Sequence, residues 1–297
     1  MKKILITGIN SYIGTSFQKW VSQYPDKYFV NAISVRDGRW KESSFIGYDV
    51  IFHTAAIVHI RENDTSNYFK INRDLTMELA KKAKQEGVKQ FIFLSTMGVY
   101  GKETGYITKN TIPVPKTRYA QSKYEAEKLL LEIESDDFKV VILRPPIVYG
   151  KGCPGNYRRL ENLALRLPFF PDIENKRSMI YIDNLSEFIR QLIEDGVGGL
   201  YFPQNKEYVN TTKLVEHIAK AHGREIKSTK ILNIFIKIGL NKSETLRKVF
   251  GSFVYDREMP GCPGTLINNR LCGYETIPFE ETIKTISKKD LNSLSSK

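Results

Sequence analysis

The chain has 297 residues, with 45 lysines and arginines against 33 aspartates and glutamates, a formal net charge of +12. That length suits one large domain, or a larger and a smaller one sharing a cleft, and the charge suits an anionic ligand or surface. It contains no run of about 18 uncharged apolar residues that would read as a transmembrane helix. The three cysteines, Cys153, Cys262 and Cys272, lack C-x-x-C spacing and indicate neither a disulfide framework nor a metal site. Lysines are spread along the chain without a basic aromatic stripe, which argues against a nucleic-acid partner. The N-terminal apolar run is too short for a signal peptide, so the expected compartment is cytoplasmic.

Lys2 to Thr7 reads as a strand closing on Gly8-Ile9-Asn10-Ser11-Tyr12-Ile13-Gly14, with a helix expected over Thr15 to Gln23. Strand, glycine turn and helix are the context a dinucleotide-binding turn needs. Gly8 permits the turn, backbone N–H groups face a pyrophosphate, and Gly14 lets the helix pack closely on the strand. Ser11 stands where the usual T-G-x-x-G-x-x-G pattern has its middle glycine. A second strand, Phe29 to Val35, leads into Ser34-Val35-Arg36-Asp37. A carboxylate near this point takes the ribose 2′-hydroxyl of NAD, whereas an arginine suits the 2′-phosphate of NADP. Arg36 favours NADP(H), and the adjacent Asp37 keeps NAD(H) open.

The next strand, Asp49 to Thr54, ends in Ala55-Ala56, small residues that admit a close cofactor. Thr65 to Glu86 reads as a helix with Leu75, Leu79 and Ala83 on one side. Val88 to Ser95 reads as a buried strand followed by Thr96-Met97-Gly98-Val99-Tyr100-Gly101. Tyr119 and Lys123 then sit one helical turn apart, on one face. A lysine so placed stabilises the phenolate and lowers the tyrosine pKa. Lys139 to Leu143 is a further strand, ending in Arg144-Pro145. The βαβ alternation indicates an α/β fold with a doubly wound, mostly parallel sheet over residues 1–150. Ile226 to Leu240 is apolar nearly all round with Lys237 inside it. It reads as a buried helix of a second lobe rather than a membrane-surface helix.

Taken together, Thr7-Gly8…Gly14, His53-Thr54-Ala55-Ala56, Asn72, Ser95-Thr96…Tyr100-Gly101, Tyr119…Lys123 and Leu143-Arg144-Pro145 resemble the extended short-chain dehydrogenase/reductases. Within that superfamily they resemble the NAD-dependent epimerase/dehydratase family acting on nucleotide sugars. The resemblance implies a Rossmann-type domain over 1–150 and a smaller substrate lobe over 151–297, with some segments returning to the first domain. It also implies Thr96, Tyr119 and Lys123 as the catalytic set, supported by Asn72. The cofactor would lie against Gly8, Asn10, Ser11, Tyr12, Ile13, Gly14, Arg36, Thr54, Ala55, Ala56, Asn72, Tyr119 and Lys123, and against Pro145 and Ile147 beyond Arg144. Asn156, Arg177 and Phe170 would meet a UDP-linked hexose, and relatives form dimers through two long helices.

Family members differ in the step after hydride transfer. Dehydratases place Asp-Glu after the catalytic threonine; Met97-Gly98 here offers neither acid nor base. The reading that follows is an NADPH-dependent 4-keto reductase of a UDP-hexose derivative in polysaccharide precursor synthesis. A UDP-hexose 4-epimerase holding NAD is the alternative, and a non-catalytic NADP-binding regulator is the alternative from another class.

Overall fold

The computed structural model describes residues 1–58, 66–154 and 156–294. The first half runs β1 (Lys2–Thr7), α1 (Tyr12–Val21), β2 (Tyr28–Ile33), β3 (Val50–His53), α2 (Ser66–Phe69), a π-helical turn (Lys70–Leu75) and α3 (Thr76–Gln85). It continues through β4 (Gln90–Leu94), β5 (Gly105–Ile107), α4 (Arg118–Ile133), β6 (Lys139–Leu143) and β7 (Ile147–Tyr149). The second half holds α5 (Asn156–Arg166), β8 (Phe169–Pro171), β9 (Met179–Tyr181), α6 (Ile182–Asp195), β10 (Gly199–Tyr201) and α7 (Thr211–Ala221). It then runs through β11 (Lys227–Thr229), α8 (Asn233–Lys242), α9 (Glu244–Phe250) and β12 (Phe253–Tyr255).

Six strands form one parallel sheet in the order β10-β6-β4-β3-β1-β2. Its central strands, Val-Ile-Phe-His and Gln-Phe-Ile-Phe-Leu, are buried throughout, as a parallel sheet covered on both faces requires. Alternate residues divide between two cores. Ile4, Ile6, Phe52 and Ile92 meet Phe17 of α1 and Phe188 of α6 on one face. Leu5, Ile51, Phe91 and Phe93 meet Leu79 of α3 and Ala126 of α4 on the other. The chain winds outward in both directions from the β1–β3 pair, which places the ligand crevice at the carboxyl ends of those two strands.

The second half builds its own core from Tyr149, Phe170, Met179, Leu214, Val215 and Phe250. It does not stay apart from the sheet. Helix α6 packs into the core beside α1, and β10 adds the sixth strand by pairing with β6. Strand β12 pairs in parallel with β5, and Arg177 bridges backbone to both Val209 and Phe253. These ties bring the lobe over the carboxyl edge of the sheet.

Two expectations change here. Helix α1 begins at Tyr12, three residues before the expected Thr15, because Ser11 supplies the N-cap. The apolar stretch 226–240 is not one buried helix. It divides into β11, paired with β8, and α8, which has no buried residue. Ile236 and Leu240 reach the lobe core, while Ile231, Ile234, Phe235 and Ile238 are 58–76% exposed. Among the described residues no helix is long and apolar enough to cross a membrane.

Candidate active site

Gly8 follows β1 with φ of +123°, a conformation that favours glycine. A Cβ there would lie 2.8 Å from both the Ala55 nitrogen and the Thr54 Oγ1. A Cβ on Gly14 would meet Ser11 Oγ at 2.5 Å and Ile6 Cγ2 at 3.0 Å, so α1 packs as closely on β1 as the sequence implied. Ser11 accepts a hydrogen bond from the Gly14 N–H at 3.0 Å and donates to Thr54 Oγ1 at 2.6 Å. The serine is therefore a helix cap tied to β3, and a glycine could make neither bond. Tyr12 and Ile13 turn their side chains into the cores; only their N–H groups remain to face an anion at the helix N-terminus. Asn10 is exposed on the turn. This close-packed cradle at the switch point fits a dinucleotide pyrophosphate.

The end of β2 is polar and open. Ser34 follows it, and Arg36 is exposed, with no side-chain bond among the described residues. Asp37 is occupied by Arg39 at 2.6 Å, and that bond holds its carboxyl below the ordinary range.

Thr96 caps the short 3-10 turn Met97–Tyr100, accepting from the Gly98 N–H at 3.0 Å. Burial pushes the Tyr119 phenol up to about 12, with the neighbouring Thr96 hydroxyl pulling the other way. The sequence implied a depressed value; in the folded chain desolvation is the larger effect, and the neutral phenol prevails. Lys123, one turn on, is buried with its ammonium 4.5 Å from the Phe93 ring centre. Burial brings it down to about 7, with Glu127 opposing. Ala55 and Ala56 follow β3 beside this group. Asn72, in the π-helical turn, bonds both the N–H and the carbonyl of Ile57, at 2.9 and 3.0 Å, and Ser122 Oγ of α4 at 3.1 Å. It fastens the chain after Ala56 to the helix that carries Tyr119. A π-turn at such a place is common near functional sites.

One buried network had no counterpart in the sequence reading. Glu127 receives two bonds from Arg144, at 3.0 and 2.6 Å, and one from the Ser95 hydroxyl. Arg144 also donates to the Tyr100 hydroxyl at 2.9 Å. Ser95 is thereby engaged away from Tyr119, which separates it from Thr96. The available signal was spacing: Tyr119, Lys123 and Glu127 continue one stripe at every fourth residue.

On the substrate side, Thr96, Met97, Pro145, Pro146, Ile147, Arg177 and Phe253 line a cavity of about 220 Å³. Arg177 is 8% exposed and forms no ion pair among the described residues, although Glu103 lines the same cavity. Its Nη1 donates to the Gly251 carbonyl at 2.8 Å, its Nε has no partner among the described residues, and burial lowers it to about 10. Phe170 is not at this cavity. It is 2% exposed and packs on Phe250 in the lobe core, with ring centres 5.6 Å apart. Asn156 opens α5; its side chain lies outside the described residues.

The model of the NAD dependent epimerase/dehydratase family matches residues 4–209. The chain belongs to this family. The chain is 32% identical over 250 residues to a UDP-glucose 4-epimerase of Vibrio cholerae, covering 74% of this chain and 76% of the relative. It is 27% identical over 201 residues to an N-acetyl-alpha-D-glucosaminyl-diphospho-ditrans,octacis-undecaprenol 4-epimerase of Escherichia coli O157:H7, covering 65% and 61%. The solved structure of MoeE5 in complex with UDP-glucose and NAD superposes with a TM-score of 0.72 at 19% identity, over 98% of this chain and 99% of that one.

For this epimerase/dehydratase family member, the Glu127–Arg144 pair can be tested directly. Glu127→Ala leaves a buried guanidinium unpaired and is expected to cost about 3–5 kcal/mol in urea unfolding. Adding Arg144→Met to Glu127→Ala removes the stranded charge and is expected to recover a large part of that loss. Additive losses in the double variant would show that the two side chains are not coupled.

Proposed function

We propose that the chain is an NADPH-dependent reductase acting on the 4-keto group of a UDP-hexose derivative. The observation that carries the reading is the end of β2: Arg36 is exposed with no side-chain bond among the described residues, while Asp37, one residue on, forms an exposed pair with Arg39. A guanidinium at that position suits a 2′-phosphate. Gly8, Gly14 and the N-terminus of α1 would hold the pyrophosphate, and Thr54, Ala55 and Ala56 would line the approach.

When bound, the reduced nicotinamide supplies the hydride that adds to C4 of the sugar. The chain's own groups handle the oxygen and the proton. Thr96 hydrogen-bonds the carbonyl oxygen, and Tyr119 gives that oxygen its phenolic proton as negative charge develops. A phenol kept neutral by burial is in the form that donates. Lys123, one helical turn on, would stabilise the phenolate left behind. Arg177, desolvated and without an ion pair among the described residues, would take the diphosphate through which the sugar is carried. Met97 and Gly98 offer no acid or base for removing water.

A second reading, a 4-epimerase retaining NAD, is favoured by the similarity to the Vibrio cholerae UDP-glucose 4-epimerase. The two separate on cofactor. Arg36→Ala is expected to weaken NADPH binding by about 1–3 kcal/mol, the scale of a charge-assisted hydrogen bond, and to leave NADH nearly unchanged. Calorimetry with both cofactors reads this, and equal losses would favour the epimerase.

Substrate class and chemistry are tested by two further variants. Arg177→Ala is expected to raise the dissociation constant for UDP while sparing NADPH; unchanged UDP affinity would remove Arg177 from the site. Tyr119→Phe deletes the proton donor and keeps the ring. It is expected to cut kcat by roughly 10²–10⁴ with cofactor affinity intact, and Thr96→Ala to cost less. NADPH oxidation with a UDP-4-keto sugar, and UDP-hexose interconversion followed by NMR, measure both. Full turnover by Tyr119→Phe in either assay would overturn the mechanism.

A further inference from the structure

Helix α8 carries two apolar stripes. Ile236 and Leu240 form the inner one and pack against the lobe core. Ile234 (66% exposed), Phe235 (70%) and Ile238 (58%) form the outer one, and Ile231 (76%) extends it into the preceding turn. These four stand exposed together, three of them on one face of α8. Isolated exposed apolar residues are ordinary, but four bulky ones on one ridge mark a surface that is covered in use.

The segment that forms the ridge carries charge of one sign, with Glu225 and Glu244 at its two borders. Residues 226–242 include Lys227, Lys230, Lys237 and Lys242 and no aspartate or glutamate. All four lysines are exposed, and none forms an ion pair among the described residues. Asp172 and Glu174 of the lobe line a cavity together with Lys230, Asn233, Lys237 and Leu240, the last a residue of the inner stripe. A second copy of the chain meeting this face would set lysines against lysines, and the whole chain carries +12. Both facts select an anionic partner with an apolar interior.

We propose that α8 docks the protein on an anionic phospholipid bilayer, with Ile231, Ile234, Phe235 and Ile238 in the acyl boundary and the lysines among the headgroups. A helix lying in the interface plane needs this combination of bulky apolar residues and flanking lysines. The surface is joined to the site through α9. Arg247 donates to the Leu240 carbonyl at 3.0 Å, and Arg177 donates to the carbonyl of Gly251, which ends α9. Docking would therefore hold the Arg177 side of the cavity close to the membrane.

The test is flotation of the full chain with vesicles of phosphatidylcholine alone or mixed equally with phosphatidylglycerol. The chain is expected to float with the anionic vesicles only, less so in high salt. A Phe235→Trp variant is expected to show a blue-shifted emission on adding those vesicles, which reads insertion at the ridge itself. Ile234→Asn/Phe235→Ser/Ile238→Asn and, separately, Lys237→Glu/Lys242→Glu are expected to weaken binding by at least about tenfold, with NADPH affinity retained. Three outcomes would overturn the proposal. They are no flotation of the unsubstituted chain, flotation undiminished in both variants, and a dimer in sedimentation that the apolar substitutions abolish.

Discussion

The carboxyl edge of the sheet is organised by one buried ion pair. Burying a carboxylate and a guanidinium is costly, and their attraction offsets this only when the remaining polar atoms are satisfied. Around Glu127 and Arg144 they are: Ser95 and Tyr100 complete the set, and the Arg144 guanidinium lies 5.2 Å from the Tyr100 ring centre and 5.8 Å from that of Phe202. Each partner sits on a different element. Glu127 is on α4, Ser95 follows β4, Arg144 follows β6, and Tyr255 of β12 donates to the Arg144 carbonyl at 2.9 Å. The pair thereby fixes the rotation of α4 against the strand ends, and with it the direction in which Lys123 and Tyr119 point.

With α4 so fixed, the site contains cations that the protein itself does not neutralise. Lys123 is lowered to about 7 and Arg177 to about 10, both by burial. His53, beneath Lys123, is held neutral by the same burial, its value brought to about 3, between the hydroxyls of Thr7 at 2.7 Å and Thr76 at 3.0 Å. An arginine that has lost its water and gained no carboxylate is stabilised by any anion that reaches it. Arg177 so placed suits an anionic ligand, and burial keeps the proton on Tyr119.

The parts of this arrangement legible in the sequence were the local ones. Gly8 and Gly14 act within a few residues, and Tyr119 and Lys123 share a face because a helix repeats every 3.6 residues. The alternation of strands and helices specified the parallel sheet, since each strand is followed by the helix that covers it. Burial set by distant segments was not legible. Ser11 looked like a lost glycine because its value lies in Thr54, far along the chain. Phe170 was assigned to the nucleotide-sugar site by resemblance alone, yet it packs against Phe250 of α9 in the lobe core. The tyrosine pKa was read from its lysine alone, while the enclosing residues decide it.

Residues 226–240 show the same limit from the other direction. Apolar character on every side of a segment reads as burial on every side, but the lobe provides a surface for only one stripe of α8. The outer stripe contributes nothing to folding through burial, because Ile234, Phe235 and Ile238 remain in water in the folded chain. Stability therefore gives no account of their being apolar. Their position does connect them to the site. Arg247 ties the end of α8 to α9, and the carbonyl that closes α9 is the one that holds Arg177. Two hydrogen bonds and one short helix thus connect the α8 ridge to the Arg177 guanidinium.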